Sequence, residues 1–190
     1  ASVDFVCQED GLWCRVEAHI ATQISYDRQN AFAAVSAVEL ILQPSADRVV
    51  GSYYFLKEKN DCWASPFFCP TLGEIPERTA SVLWQREDTY YHMLPLCDED
   101  CKSEIGGDGE SVVIRVSPYT GGFTTIRAAT FALSWGQDPF ALPERTAQIG
   151  FAALGLRPSL RKDKQLPQVF QYLGWCSWDG FGKEVSAQGL

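Results

Sequence analysis

Leu12-Trp13-Cys14-Arg15-Val16-Glu17-Ala18-His19-Ile20 alternates two sets of side chains over nine residues. A period of two puts Leu12, Cys14, Val16, Ala18 and Ile20 on one face of a strand, and Trp13, Arg15, Glu17 and His19 on the other. One apolar face and one wetter face suit an antiparallel sheet. Shorter runs repeat the signal further along the chain. Val38, Leu40 and Leu42 alternate, and residues 49–56 carry β-branched and aromatic side chains around Gly51. Residues 80–86 and 89–94 flank Glu87-Asp88, which reads as a tight hairpin. Val112, Ile114 and Val116 alternate, and residues 124–133 form a further strand candidate entered through Gly121-Gly122. Many short strands with turns between them predict a mainly β fold, an antiparallel β-sandwich or barrel.

Composition narrows the function classes. The 190 residues are 46% hydrophobic, enough for a sizeable core and too apolar for low-complexity disorder. Sixteen basic against 24 acidic residues give a net charge of −8, which excludes a general nucleic-acid binder. No apolar run is long enough to predict a membrane helix. The seven cysteines, at 7, 14, 62, 69, 97, 101 and 176, are odd in number and show no metal-ligand spacing. Reduced thiols in a cytoplasmic protein, with no metal and no cofactor, are the expectation. The sequence assigns no oligomeric state.

Other segments are read by local chemistry. His19 and His92 are expected to be solvated side chains on strands, since neither has a triad partner nearby. Residues 61–76 contain Trp63, Pro66, Phe67, Phe68, Pro70 and Pro76 and read as a long aromatic loop. Its aromatics either plug the end of a sandwich or stack on sugar faces, with Trp63 the candidate binding residue. Residues 98–109 are acidic and Gly-rich and read as a solvated hairpin tip. A helix is expected over residues 138–154, capped by Asp138 and stopped at Gly155, with Pro143 delaying its regular start. Phe140, Ala147, Phe151 and Leu154 would form its buried face. Residues 157–165 read as a polar linker, which places a domain boundary between 165 and 166.

Beyond the linker, residues 170–181 form an aromatic, near-continuous apolar run that suits a strand buried on both faces. Within it, Gly174-Trp175-Cys176-Ser177-Trp178-Asp179-Gly180-Phe181 closely resembles the first barrel strand of the raffinose synthase and alkaline α-galactosidase group (seed imbibition proteins) of glycoside hydrolase family 36. Glu87-Asp88 with Pro95-Leu96, Gly136-Gln137-Asp138-Pro139-Phe140, Leu166-Pro167 and Val185-Ser186-Ala187-Gln188-Gly189 resemble further segments of that group in order and spacing. The likeness covers residues 61–190.

The resemblance implies a β-sandwich domain over residues 1–165, followed at 166–190 by the first strand of a truncated (β/α)8 barrel. It places Trp178 in a galactose pocket, where an indole face stacks on the C–H face of a sugar. Asp179 then accepts bonds from sugar hydroxyls or fixes the following loop. The implied chemistry is retaining α-galactoside hydrolysis or transfer by two carboxylates, on raffinose-type oligosaccharides. Both carboxylates belong to later barrel strands, so no catalytic residue is assigned here and the 190 residues alone are expected to be inactive. Ser177 and Gly180 replace the usual Thr and Ala, and Gly182 stands where an aromatic is common. These departures bear on acceptor choice. The alternative is a stand-alone sugar- or protein-binding β module without catalysis.

Overall fold

The computed structural model describes residues 1–19, 38–55, 64–119, 123–157, 160–174, 178–184 and 186–188. The chain divides into two compact units, Ala1–Pro158 and Ser159–Leu190. The first unit holds ten described strands: β1 (Ser2–Gln8), β2 (Gly11–His19), β3 (Val38–Leu42), β4 (Arg48–Phe55), β5 (Ala64–Phe67), β6 (Thr79–Arg86), β7 (Thr89–Pro95), β8 (Cys101–Gly107), β9 (Val112–Pro118) and β10 (Thr125–Gly136). Helix α1 (Leu142–Ala153) closes the unit. The sheet runs β1-β2-β10-β7-β6-β8-β9-β3, with β4 on β6 and β5 on β4, and its described pairings are antiparallel.

The sheet curls because β6 changes partner along its length. Val82 to Arg86 pair with β7, whereas Thr79 pairs with Ile105 of β8. That hand-over turns β8 and β9 across the core, where they pack on β10. The concave face encloses Cys14, Val16, Ala18, Val82, Trp84, Met93, Ile105, Ile114, Val116, Ile126 and Phe131. Cys14, Val16 and Ala18 are three of the five residues assigned to the apolar face of the opening strand; Ile20 lies outside the described residues. Trp13, from the opposite face, is also buried, because α1, through Ile149, covers it together with Leu96, Ala129 and Ala132. The sheet therefore buries both faces where the helix lies.

The hairpin at Glu87-Asp88 forms with Arg86 paired to Thr89. Glu87 takes a positive φ of 52°, a conformation usually given to glycine at this position. Its backbone N–H donates to the Asp47 carboxylate, and Gln85 Nε2 donates to its carbonyl at 2.7 Å. Helix α1 begins at Leu142, so Pro143 falls in its first turn, where no intrahelical N–H is needed. Gly155, at φ 67°, ends the helix. Leu156 N–H reaches Phe151 O and Gly155 N–H reaches Ala152 O, the paired bonds of a Schellman cap.

Several expectations are corrected. The buried face of α1 is Leu142, Thr146, Ile149 and Gly150; of the expected face Leu154 does pack on the core, while Phe140 lies before the helix and is exposed. Gly150 decides the face, since an added Cβ would sit 2.7 Å from Leu96 Cδ2. His92 is buried rather than solvated, whereas His19 is exposed as expected. Strand β1 was not expected, because its residues are all exposed and carry no burial period.

The 61–76 segment is only partly loop. β5 pairs with β4 and tolerates Pro66 because it lies at the sheet edge. A 3-10 turn at Leu72–Glu74 follows, and Cys69, Leu72 and Ile75 plug the core. The 98–109 segment is not a solvated tip either. Most of it is β8, with Cys101, Ser103, Ile105 and Gly106 buried.

Asp98 shows why an acidic residue sits there. β10 carries a bulge between Ala129 and Phe131, which leaves the Ala129 N–H unpaired by the ladder. Asp98 Oδ2 accepts that N–H at 3.0 Å, and the extra residue Thr130 bonds Cys14 O through its hydroxyl at 3.2 Å. Asp98→Ala is expected to cost about 2 kcal/mol in urea unfolding, because a half-buried N–H loses a charged acceptor. Glu99→Ala, beside it and exposed, serves as the neutral control.

In the second unit no strand occurs among the described residues. Gln168–Gln171 is a 3-10 turn and α2 (Trp178–Phe181) is a single helical turn. The expected buried strand over 170–181 is thus absent from residues 170–174 and 178–181 in this chain; residues 175–177 lie outside the described set. Leu166, Val169, Phe170, Tyr172 and Leu173 are exposed. A strand needs hydrogen-bonded neighbours, and an apolar run without them settles into local turns.

Candidate functional site

Of the three candidate residues, two are neighbours in the chain and one lies outside the described residues. Trp63 lies outside the described residues. Trp178 and Asp179 open α2 in the second unit, two consecutive positions on one short turn. A shallow cleft of about 460 Å³ in the same unit is lined by Gln165, Leu166, Pro167, Gln168 and Gln171.

Among the described residues of the first unit lie two smaller polar clefts. One, of about 250 Å³, lies between the β1–β2 turn and α1 and includes Glu9, Asp10, Arg145 and Gln148. Its main cation is committed: Arg145 Nη1 stands 3.3 Å from Asp10 and donates to Trp135 O at 3.1 Å. The other, of about 180 Å³, is bordered by Arg15, Asp98, Arg127 and Ala153. Arg15 there lies over the Trp13 ring at 4.9 Å, and Asp98 holds the β10 bulge. Both clefts are occupied by their own structural bonds.

A chain of buried polar groups joins the sheet to α1. His92 Nε2 lies 2.9 Å from Ser81 Oγ and Nδ1 lies 2.8 Å from Thr146 Oγ1. Thr146 Oγ1 is 2.6 Å from Ser134 Oγ and donates to Leu142 O at 2.8 Å. A hydroxyl-imidazole-hydroxyl row looks like part of a nucleophilic relay. The row contains no carboxylate, however, and His92, Ser134 and Thr146 are all buried, so no substrate reaches them. Burial lowers the His92 pKa to about 4 and keeps the ring neutral. Its role is to fasten β6, β7, β10 and α1 together.

The buried thiols of Cys14, Cys69 and Cys101 are similarly inert. Burial pushes Cys101 up to about 11, with Asp100 and Asp98 adding to the effect, and burial also raises Cys14 and Cys69. A protonated buried thiol is a poor nucleophile. Cys7, Cys14, Cys69, Cys97 and Cys101 are free. Among the described residues no group of three or more His, Cys, Asp or Glu side chains is placed to hold a metal. No described helix is long and apolar enough to cross a membrane.

Chemistry-bearing geometry is therefore sparse, and likeness to known proteins carries more. The sequence profile of the family described as "Raffinose synthase or seed imbibition protein Sip1" matches residues 77–190, well over half of the chain. The chain belongs to the raffinose synthase family.

Galactinol–sucrose galactosyltransferase of Oryza sativa subsp. japonica is 29% identical over 106 residues, 53% of this chain and 13% of that protein. Probable galactinol–sucrose galactosyltransferase 6 of Arabidopsis thaliana is 27% identical over 108 residues, 55% of this chain and 14% of that protein. The chain thus spans about one seventh of the length of the curated relatives it matches. In this raffinose synthase family member the profile takes in β6 to β10, α1 and the second unit. It begins at residue 77, later than the expected likeness from residue 61. Trp178 and Asp179 fall inside the match and Trp63 falls outside it.

Sequence reasoning missed the buried His92 row and the Asp98 clamp. For His92, the nearest signal was the small hydroxyl residues Ser81, Ser134 and Thr146 on three separate apolar elements. Nothing local indicates that they converge.

Proposed function

We propose that these 190 residues are part of a longer α-galactoside-processing enzyme of glycoside hydrolase family 36. The match of the raffinose synthase family profile to residues 77–190 carries this reading. The curled sheet of the first unit serves as a β-sandwich domain over residues 1–165. Residues 166–190 form the opening strand of a (β/α)8 barrel once its neighbouring strands are present. The exposed Leu166, Val169, Phe170, Tyr172 and Leu173 support this, because five apolar side chains left in water suit a segment that buries both its faces once neighbouring strands are present.

On this reading the enzyme transfers or hydrolyses α-galactosyl groups of raffinose-type sugars with retention, through two carboxylates on later strands. Trp178 lines the galactose pocket and Asp179 receives sugar hydroxyls at the C-terminal end of the strand. The odd cysteine count without metal-ligand spacing suits a reducing, cytoplasmic setting.

The 190 residues alone are expected to show no turnover of an aryl α-galactoside, or of galactinol with sucrose. Turnover at an enzyme-like rate would overturn the assignment of catalysis to later strands. In the longer enzyme, Trp178→Ala is expected to raise KM for the galactoside at least tenfold.

A further inference from the structure

We propose that the outer face of β4–β6, between Tyr53 and Arg48, is a binding site for a neutral oligosaccharide. The choice of ligand class rests on the family reading above; the site itself rests on geometry.

Pairing register defines the face. Gly51 opposes Leu83 and Tyr53 opposes Ser81, whereas Ser52 and Val82, between them, point into the core. Arg48 opposes Gln85 on the same outer side. Along β6, Ser81, Leu83 and Gln85 therefore form a row about 14 Å long. Phe68 follows β5 and lies over Gly51, where an added Cβ would be 3.5 Å from its Cε1. Any larger residue at 51 would fill the ground beneath that ring.

Two aromatic rings stand in water here. Phe68 is 75% exposed and Tyr53 is 55% exposed. Gly51 and Tyr53 are about 7 Å apart along the strand, which places the two rings along one strip. Register shifts at Val49/Gly51 and Tyr53/Tyr54 bracket this strip. Bulges bend a strand and redirect its side chains, and they are over-represented next to sites.

The chemistry at the two ends suits a sugar. Aromatic faces take the C–H side of a pyranose. Arg48 Nε donates to Gln85 Oε1 at 2.8 Å, which holds the guanidinium and leaves its terminal N–H groups without a hydrogen-bond partner among the described residues. Those groups can donate to hydroxyls. A protein partner fits less well. Two aromatic side chains supply far less than the roughly 800 Å² per partner that a standard protein interface buries.

The test is an amide-resolved NMR titration of the whole chain with raffinose, at concentrations into the tens of millimolar. Saturable shifts are expected at Gly51, Tyr53 and Leu83. Tyr53→Ala and Phe68→Ala should each weaken binding about tenfold, and both side chains are exposed enough for the variants to fold. Phe140→Ala, an exposed aromatic elsewhere on the first unit, should leave it unchanged. Absence of saturable shifts, or shifts that survive the double variant, would overturn the site. Galactosyl turnover is measured separately on the longer enzyme, so failure here leaves the family reading standing.

Discussion

Gly107→Ala is expected to destabilise the first unit by about 3 kcal/mol or more, among the largest effects of a single methyl group in this chain. The added Cβ would lie 1.9 Å from Gly73 O and 2.4 Å from Gly73 C, both backbone atoms that no rotamer change can move. The contact is an anchoring one. Gly107 N–H bonds Ile75 O at 3.0 Å and Gly109 N–H bonds Gly73 O at 2.8 Å, so the end of β8 is stitched to the turn at Leu72–Glu74. Leu72 and Ile75 of that turn fill the core. Pushing the two backbones apart therefore loosens packing as well as two hydrogen bonds. In thermal unfolding the loss should read as a fall in Tm of roughly 6–12 °C. Gly109→Ala makes the control. Gly109 has open space around its would-be Cβ but a φ of 100°, so only backbone strain opposes the change and about 1 kcal/mol is expected. Equal effects of the two substitutions would refute the steric argument.

Acidification from pH 6.5 to 4 is expected to remove about 3 kcal/mol of stability through His92 alone. Burial lowers its folded pKa from 6.5 to about 4. Between those values the unfolded chain binds a proton that the folded chain does not, so stability rises with pH across the window. The contribution is full above 6.5 and is lost as pH falls toward the folded pKa. His92→Gln should remove this slope, so the stability difference between parent and variant should change by about 3 kcal/mol across the window, whatever its value at pH 7. Because His92 fastens Thr146, amides of α1 should lose hydrogen-exchange protection first as the pH drops. A parallel pH dependence in parent and variant would show that other groups dominate.

The legible and illegible parts of the chain differ by the range of the forces involved. β2, β3, the β6–β7 hairpin, β9 and β10 were readable because a sheet with one core face writes a two-residue period into its own strand. β8 was misread because Asp98, Glu99, Asp100 and Glu104 look solvated in sequence. The apolar alternation of Cys101 and Ile105 is interrupted by the small residues Ser103, Gly106 and Gly107. Gly107 is required by the approach of the Leu72–Glu74 turn, about 30 residues away in the chain, and Gly106 by the approach of Glu77 and Arg115. The helix face was misassigned for a similar reason. Phe140 and Phe151 look like anchors, yet the surface presented by β7 and β10 accepts Thr146 and Gly150 instead. The 170–181 run shows the converse: its apolar sequence was read as a strand, and a strand is not a property of one segment.

By itself the sequence determined a mainly antiparallel β unit, one helix with its Gly155 stop, and membership of a family through the texture of its last 110 or so residues. These are local or cumulative properties: side-chain period, cap chemistry and ordered motifs. The tertiary structure alone decided which strand neighbours which, how β6 hands its edge from β7 to β8, and that His92 and Asp98 are structural fasteners. It also decided that Phe68 and Tyr53 share an open face. Each of these depends on a meeting of residues far apart in the chain, and the free energy of such a meeting belongs to the pair and not to either residue.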